Sequence, residues 1–248
     1  MSLSDDELDR YARQIVLPQV GGVGQKKLKA SKVAVIGAGG IGSAVIPALA
    51  GAGVGQLTII DSDLVEVANL HRQPLFTEAD AGKSKAFLAA DFVCRLNSSV
   101  DVNPREVRIG GDNARELFAG HDLVIDGSDN FATRLAVSDA CVALGLPLLS
   151  AAAVQFQGQV GLFRGQPCYR CFVGAAFDTD DCDNCAELGV LGALTATVGS
   201  FAALLAINTI VGIGPDQGGN LHLVDGEALS WRAIRIPADP GCRTCASA

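Results

Sequence analysis

Aromatic residues make up only 5% of this 248-residue chain, tryptophan occurs once, and no lysine follows Lys85. A core this poor in rings must close on small side chains, and 29 glycines within a chain of 49% apolar residues suit that packing. The same apolar share excludes disorder as the main state. Basic charge is scarce too: 19 Lys and Arg stand against 27 Asp and Glu, a net charge of −8. That balance excludes a dedicated nucleic-acid surface. The lysines that do cluster, Lys26, Lys27, Lys29 and Lys32, read as a solvated helix face. Ser2-Leu3-Ser4-Asp5-Asp6-Glu7 lacks the apolar run of a secretory leader, which points to the cytoplasm.

Charge is missing altogether from Leu188 to Gly214, a stretch long enough to raise the question of a membrane span. It is studded with Gly, Thr, Ser and Asn, and no Lys or Arg lies between Leu188 and Trp231. Without a positive flank it reads as a buried helix at a subunit interface, with no membrane partner.

Ser4-x-x-Glu7 is a capping-box pattern, and Leu8, Tyr11 and Ile15 come next at helical spacing. A short helix therefore opens the chain and ends at Pro18 and Gly21-Gly22. Residues 32–36 read as a buried strand, leading into Gly37-Ala-Gly39-Gly40-Ile-Gly42, a helix to Ala52 and a strand over 56–61. This is a right-handed βαβ unit of a parallel sheet. Helices are predicted over 83–96 and 131–144, and strands near 100–107, 121–126 and 147–154. Antiparallel-looking pieces over 159–163, 220–225 and 229–236 then flank the long apolar helix.

Between strand and helix, Gly37, Gly39 and Gly42 let the backbone approach a phosphate at a helix N-terminus. Asp61 ends the next strand, where a carboxylate accepts from ribose hydroxyls. The first reading is a nicotinamide-dependent dehydrogenase. The residues downstream of Asp61 argue against it: Asn69, Arg72 and Lys85 come within reach of the same crevice and suit a triphosphate's oxygens, more charge than a dinucleotide needs. Asp126-Gly-Ser-Asp129-Asn130 succeeds another strand, and a carboxylate there beside phosphates suggests a Mg²⁺ ligand.

Tyr11-Ala-Arg13-Gln14, the glycine loop, Asp61-Ser-Asp63, Asn69-Leu-His-Arg72-Gln73, Lys85 and Asp126-Gly-Ser-Asp129-Asn130 together resemble the MoeB/ThiF adenylyltransferases, prokaryotic relatives of ubiquitin-activating enzymes. The resemblance runs from Ser4 to Cys245. It implies ATP and Mg²⁺ as cofactors and a small ubiquitin-fold sulfur-carrier protein ending in Gly-Gly as substrate. The carrier's carboxylate attacks the α-phosphate, pyrophosphate leaves, and an acyl-adenylate forms. By resemblance Gly40 and Asp61 bind nucleotide, Asn69, Arg72 and Lys85 contact its phosphates, and Asp129 holds Mg²⁺. Asp63, Gln73 and Asn130 are carried with them as nucleotide-binding residues. Arg13 reaches the nucleotide of the other subunit in a homodimer.

Three Cys-x-x-Cys pairs remain. Cys168/Cys171 and Cys242/Cys245 sit in turn-rich settings and match a closed Cys₄ zinc knuckle, with redox dithiols as the alternative. The resemblance supports Zn²⁺ at these four. Cys182-Asp-Asn-Cys185 departs from the family, whose members carry one cysteine here. By analogy Cys185 carries a thioester or acyl-disulfide link to the carrier; Cys182 is given no role. Cys94 and Cys141 read as core residues.

The expected fold is thus a Rossmann-like, mostly parallel α/β sheet with a C-terminal antiparallel extension and a zinc knuckle. It forms one domain: an N-terminal helical arm (1–30), a nucleotide-binding core (31–165) and a zinc-bound, carrier-facing extension (166–248). Sulfur is expected from a separate donor protein, for molybdenum cofactor or thiamine synthesis. A dehydrogenase, a non-catalytic carrier-binding scaffold and a tRNA-modifying dehydratase of the same family are the rivals.

Overall fold

Strand and helix alternate because the apolar runs are short, β-branched and separated by glycine or by amphipathic stretches. The computed structural model describes residues 2–174 and 188–246. Two short helices, α1 (Asp5–Arg10) and α2 (Ala12–Ile15), precede α3 (Gly21–Ala30). The core continues as β1 (Lys32–Ile36), α4 (Gly42–Ala52), β2 (Gln56–Ile60), α5 (Lys85–Leu96), β3 (Asp101–Arg105), α6 (Ala114–Phe118), β4 (Leu123–Asp126), α7 (Phe131–Leu144) and β5 (Leu148–Val154). Then come β6 (Gln157–Phe163), α8 (Tyr169–Val173), α9 (Gly192–Val211), β7 (Asn220–Asp225) and β8 (Ser230–Arg235).

Among the described residues all strands join one sheet in the order β3-β2-β1-β4-β5-β6-β7-β8. Neighbours from β3 to β5 are parallel; from β5 onward they are antiparallel. The alternation of side chains along a strand divides the core in two. Val33 and Val35 of β1 face a cluster built with α3, α4, α5 and α9, while Ala34 and Ile36 face one built with α6, α7 and α8. Both faces are covered, so β1, β2 and β4 tolerate continuous apolar runs.

Helix α9 is the one helix among the described residues long and apolar enough to cross a membrane. Its inner face is packed against the core through Leu194, Val198, Ala202 and Ala206. Gly199 permits the contact with α4: a Cβ there would lie 2.6 Å from the carbonyl oxygen of Ile41. The outer face, with Leu204, is open in a single chain.

Two expectations near the N-terminus need correction. The opening helix is capped at Ser4 as expected, with Glu7 returning the bond, but it breaks at Tyr11. Gly21 starts a helix instead of ending one; its φ of +56° turns the chain into α3. The lysine cluster is accordingly not merely a solvated face. Lys29 pairs with Glu7 at 2.6 Å, and Lys27 donates to the carbonyl of Val211 at the end of α9.

Candidate active site and cysteine cluster

The loop after β1 depends on backbone that side chains would obstruct. Gly37 has φ +86°, and a Cβ on Gly42 would overlap the carbonyl oxygen of Gly37. The loop therefore folds tightly onto the N-terminus of α4, where Gly37, Gly39 and Gly40 line the crevice, an arrangement suited to an anion. Asp61, at the end of β2, braces it: Oδ2 accepts from the N–H of Ala38 at 2.7 Å, and Oδ1 from that of Asp63 at 2.8 Å. Burial pushes the Asp61 carboxyl above its usual range, against those two donors.

A second wall comes from the helical turn at Val67–Asn69 and the start of α5. Arg72 donates from Nη2 to Oδ1 of Asn69 at 2.6 Å, which aims its guanidinium. Lys85, buried, lies 3.1 Å from Oδ2 of Asp63. Gln73 is 3% exposed, and its Oε1 has no donor among the described residues. A buried acceptor in the crevice wall suits a ligand N–H or hydroxyl.

The third wall is the turn between β4 and α7. Asp126 accepts from both the N–H and the hydroxyl of Ser128. Asn130 caps α7 by accepting from the N–H of Thr133 at 2.9 Å. Between them Asp129 stands exposed in the crevice. An exposed carboxylate in the crevice that also holds Arg72 and Lys85 suits Mg²⁺, which takes one or two carboxylates and fills the rest of its shell with phosphate and water.

These walls enclose a crevice of about 1140 Å³ lined by Gly37, Gly39, Gly40, Asp61, Asp63, Arg72, Gln73, Lys85, Asp129 and Asn130. It opens beyond the carboxyl ends of β1, β2 and β4, where ligands bind in open parallel sheets. It continues past Gln157 and Gln159 to Leu223, Asp225 and Arg232 on β7 and β8. Gly42 and Asn69 act from behind the lining, the first by shaping the loop and the second by holding Arg72.

Arg13 is elsewhere. Its neighbour Tyr11 accepts a bond from Asn97, which also donates to Ala50, and Gln14 donates to the carbonyl of Ala52. Both anchors sit at the C-terminal end of α4, while the glycine loop caps its N-terminus. An eleven-residue helix, roughly 16 Å long, separates them. Arg134, not singled out from the sequence, does line the crevice and is 6% exposed. Only its place in Asp129-Asn130-x-x-x-Arg134, one turn into α7, could have signalled it.

The sulfurs of Cys168, Cys171, Cys242 and Cys245 all lie within 4.8 Å of one another. Cys168 and Cys242 are 3.6 Å apart, Cys171 and Cys245 3.4 Å. Tetrahedral zinc with Zn–S bonds of about 2.3 Å sets its sulfurs roughly 3.8 Å apart, so the four fit that ion. Burial pushes the Cys168 thiol up to about 11. Burial also opposes ionisation of Cys242, but donors led by the N–H groups of Cys245 and Thr244 bring it down to about 7.

Asp139 of α7 braces both knuckles. It accepts two 2.7 Å bonds from Arg170 and one of 2.9 Å from Thr244. Cys141 is buried as expected, but Cys94 is exposed, because it falls on the outer face of α5. Cys182 and Cys185 lie outside the described residues.

The description "ThiF family" fits residues 11–244. The chain is 44% identical to the sulfur carrier protein adenylyltransferase of Thermus thermophilus, over 99% of this chain and 93% of that one. It is 40% identical to the SAMP-activating enzyme E1 of Haloferax volcanii, over 99% and 91%. Against the adenylyltransferase and sulfurtransferase MOCS3 of Bos taurus it is 43% identical over 98% of its own residues, spanning 54% of that longer protein. Among solved structures, E. coli MccB with ATP superimposes with a TM-score of 0.83 at 25% identity, covering 96% of this chain and 74% of MccB. PaaA does so at 0.80 and 24%, covering 94% and 75%, a likeness of fold alone. On the family match and the near-complete overlap with its relatives, this chain belongs to the ThiF family.

Proposed function

We propose that the protein adenylylates the C-terminal Gly-Gly carboxylate of a small ubiquitin-fold sulfur-carrier protein, using ATP and releasing pyrophosphate. One observation carries this reading: the glycine loop, Arg72, Lys85 and Asp129 share a crevice that continues across the antiparallel strands to Arg232. The relatives named for acting on sulfur carriers support the substrate class.

The glycine loop and Asp61 hold the nucleoside end. Arg72 and Lys85 oppose charge on the phosphates and stabilise it as it moves onto pyrophosphate. Asp129 is the residue to hold Mg²⁺, which when bound neutralises phosphate charge. The incoming carboxylate approaches along the part of the crevice floored by β6 and β7, so that its oxygen meets the α-phosphorus opposite the leaving group. A dehydrogenase needs none of Arg72, Lys85 and Asp129 in one place, and a scaffold has no use for them.

The rest of the machinery is proposed on the same footing. The enzyme is a cytoplasmic homodimer in which Arg13 completes the partner's site; its distance from its own crevice supports this. The 166–248 segment carries structural Zn²⁺ and meets the carrier. Sulfur is delivered by a separate donor protein, serving molybdenum cofactor or thiamine synthesis. Cys185 is the residue proposed for a covalent link to the carrier.

Pyrophosphate–ATP exchange tests the reading. Exchange is expected only with a Gly-Gly-ending carrier. Exchange that persists when the last glycine is deleted overturns the acyl-adenylate.

A further inference from the structure

Arg134 is a buried charge whose hydrogen bonds join two segments across the crevice floor. Nη1 donates to the hydroxyl of Ser150 at 2.9 Å, and Nη2 to the carbonyl of Ala151 at 3.0 Å, both on β5. Nη2 also donates to the carbonyl of Ser128, and Nη1 lies 3.7 Å from Oδ2 of Asp126. Burying a guanidinium without partners is costly; here it is held by hydroxyl, carbonyls and carboxylate at once.

The placement matters because of what lies between the anchors. Ser128 is fixed by Arg134 and Asp126, and Asn130 by the start of α7. Asp129, between them, is the most exposed residue of the turn and lines the crevice. We propose that Arg134 is a positioning residue: it clamps the Asp126–Asn130 turn to β5 and so fixes where Asp129 presents its carboxylate to a divalent cation. The inference rests on the proposed role of Asp129 as the Mg²⁺ ligand. A planar fork bonding three acceptors is something lysine cannot reproduce, so Arg134→Lys keeps the charge and loses the clamp.

The test uses Mn²⁺ as the probe, monitored by electron paramagnetic resonance on the full chain with saturating ATP and no carrier. Manganese shares the oxygen-ligand preference of magnesium. Arg134→Lys should weaken Mn²⁺ binding by about tenfold, the usual effect of losing a partner that orients a metal ligand. Metal-free ATP binding should stay within about twofold of wild type, and raising the Mg²⁺ concentration should restore exchange activity. Ser150→Ala, which removes one acceptor, should weaken Mn²⁺ binding by about threefold. It decides the matter alone if Arg134→Lys does not fold.

Asp129→Ala separates the clamp from the ligand it positions. If it binds Mn²⁺ like wild type, the role of Asp129 fails and the clamp with it. If it loses Mn²⁺ while the folded Arg134 and Ser150 variants bind normally, the clamp alone is wrong. Equal loss of metal-free ATP binding in Arg134→Lys also overturns it, because that outcome marks general collapse of the site.

Discussion

The ammonium of Lys85 lies 3.1 Å from Oδ2 of Asp63, yet the lysine side chain is 5% exposed and the aspartate 65%. Phosphates entering the crevice compete for a buried donor whose present partner is well solvated. Removing that donor should be far worse than removing the partner. Lys85→Met is expected to lower pyrophosphate exchange by about 10²–10³-fold. Asp63→Asn should cost less than about tenfold, since a solvated pair contributes little. Steady-state exchange kinetics on both variants decide; equal losses would contradict the asymmetry.

The cysteine cluster predicts one zinc per chain. Cys242→Ser should lower metal content, measured by atomic absorption, and lower the thermal midpoint. Structural zinc contributes on the order of 10 kcal/mol of apparent folding free energy, so the shift should be large. Substituting Cys182 or Cys185 should leave metal content unchanged, and equal loss there would reassign the ligands.

Asp139 gives a pH-dependent prediction with a definite sign. Burial opposes its charge, but the Arg170 and Thr244 bonds prevail and hold its carboxyl below the ordinary 3.8. A depressed carboxyl contributes stability that is complete above the unfolded value and lost as pH falls through the folded one. Asp139→Asn should therefore lower the thermal midpoint at neutral pH and converge with wild type below about pH 3.8. A gap that stays constant with pH would mean the charge contributes nothing.

Arg13 is tied to the far end of α4, so its proposed action is in the partner subunit. Arg13→Ala and Asp129→Ala should each be inactive alone. Unfolded and refolded together, about half the dimers are mixed, each with one complete site, and about a quarter of the wild-type site count returns. No recovery in a mixture shown by mass to contain heterodimers would refute the arginine in trans and leave the rest of the mechanism standing.

The glycine loop, Asp61, Lys85 and Asp129 were legible in the sequence because each sits at a strand end or helix start, where local pattern and site coincide. The four outer cysteines were legible from spacing alone. What escaped depends on packing between distant segments. Gly21 looks like a helix stop, yet in left-handed backbone it starts α3. Cys94 lies in an apolar-looking helix but on the face that nothing covers. Arg134 and Asp139 resemble ordinary charges of an amphipathic helix; only the fold brings Ser150 to one and both knuckles to the other.

The glycine loop and Arg232 border one crevice although they belong to β1 and β8, strands far apart in a single sheet. Five inter-strand steps of about 4.8 Å separate those strands, roughly 24 Å in all. An extended chain advancing about 3.3 Å per residue crosses that distance in about seven residues. On the proposed reading the sheet is a ruler. A carrier docked at the β8 end delivers its terminal carboxylate to the nucleotide only if its tail has that reach. A tail shortened by several residues leaves docking intact and the carboxylate stranded over β5 or β6. Tail length, read as exchange rate against the number of residues removed upstream of a retained terminal Gly-Gly, should then show a threshold in place of a slope.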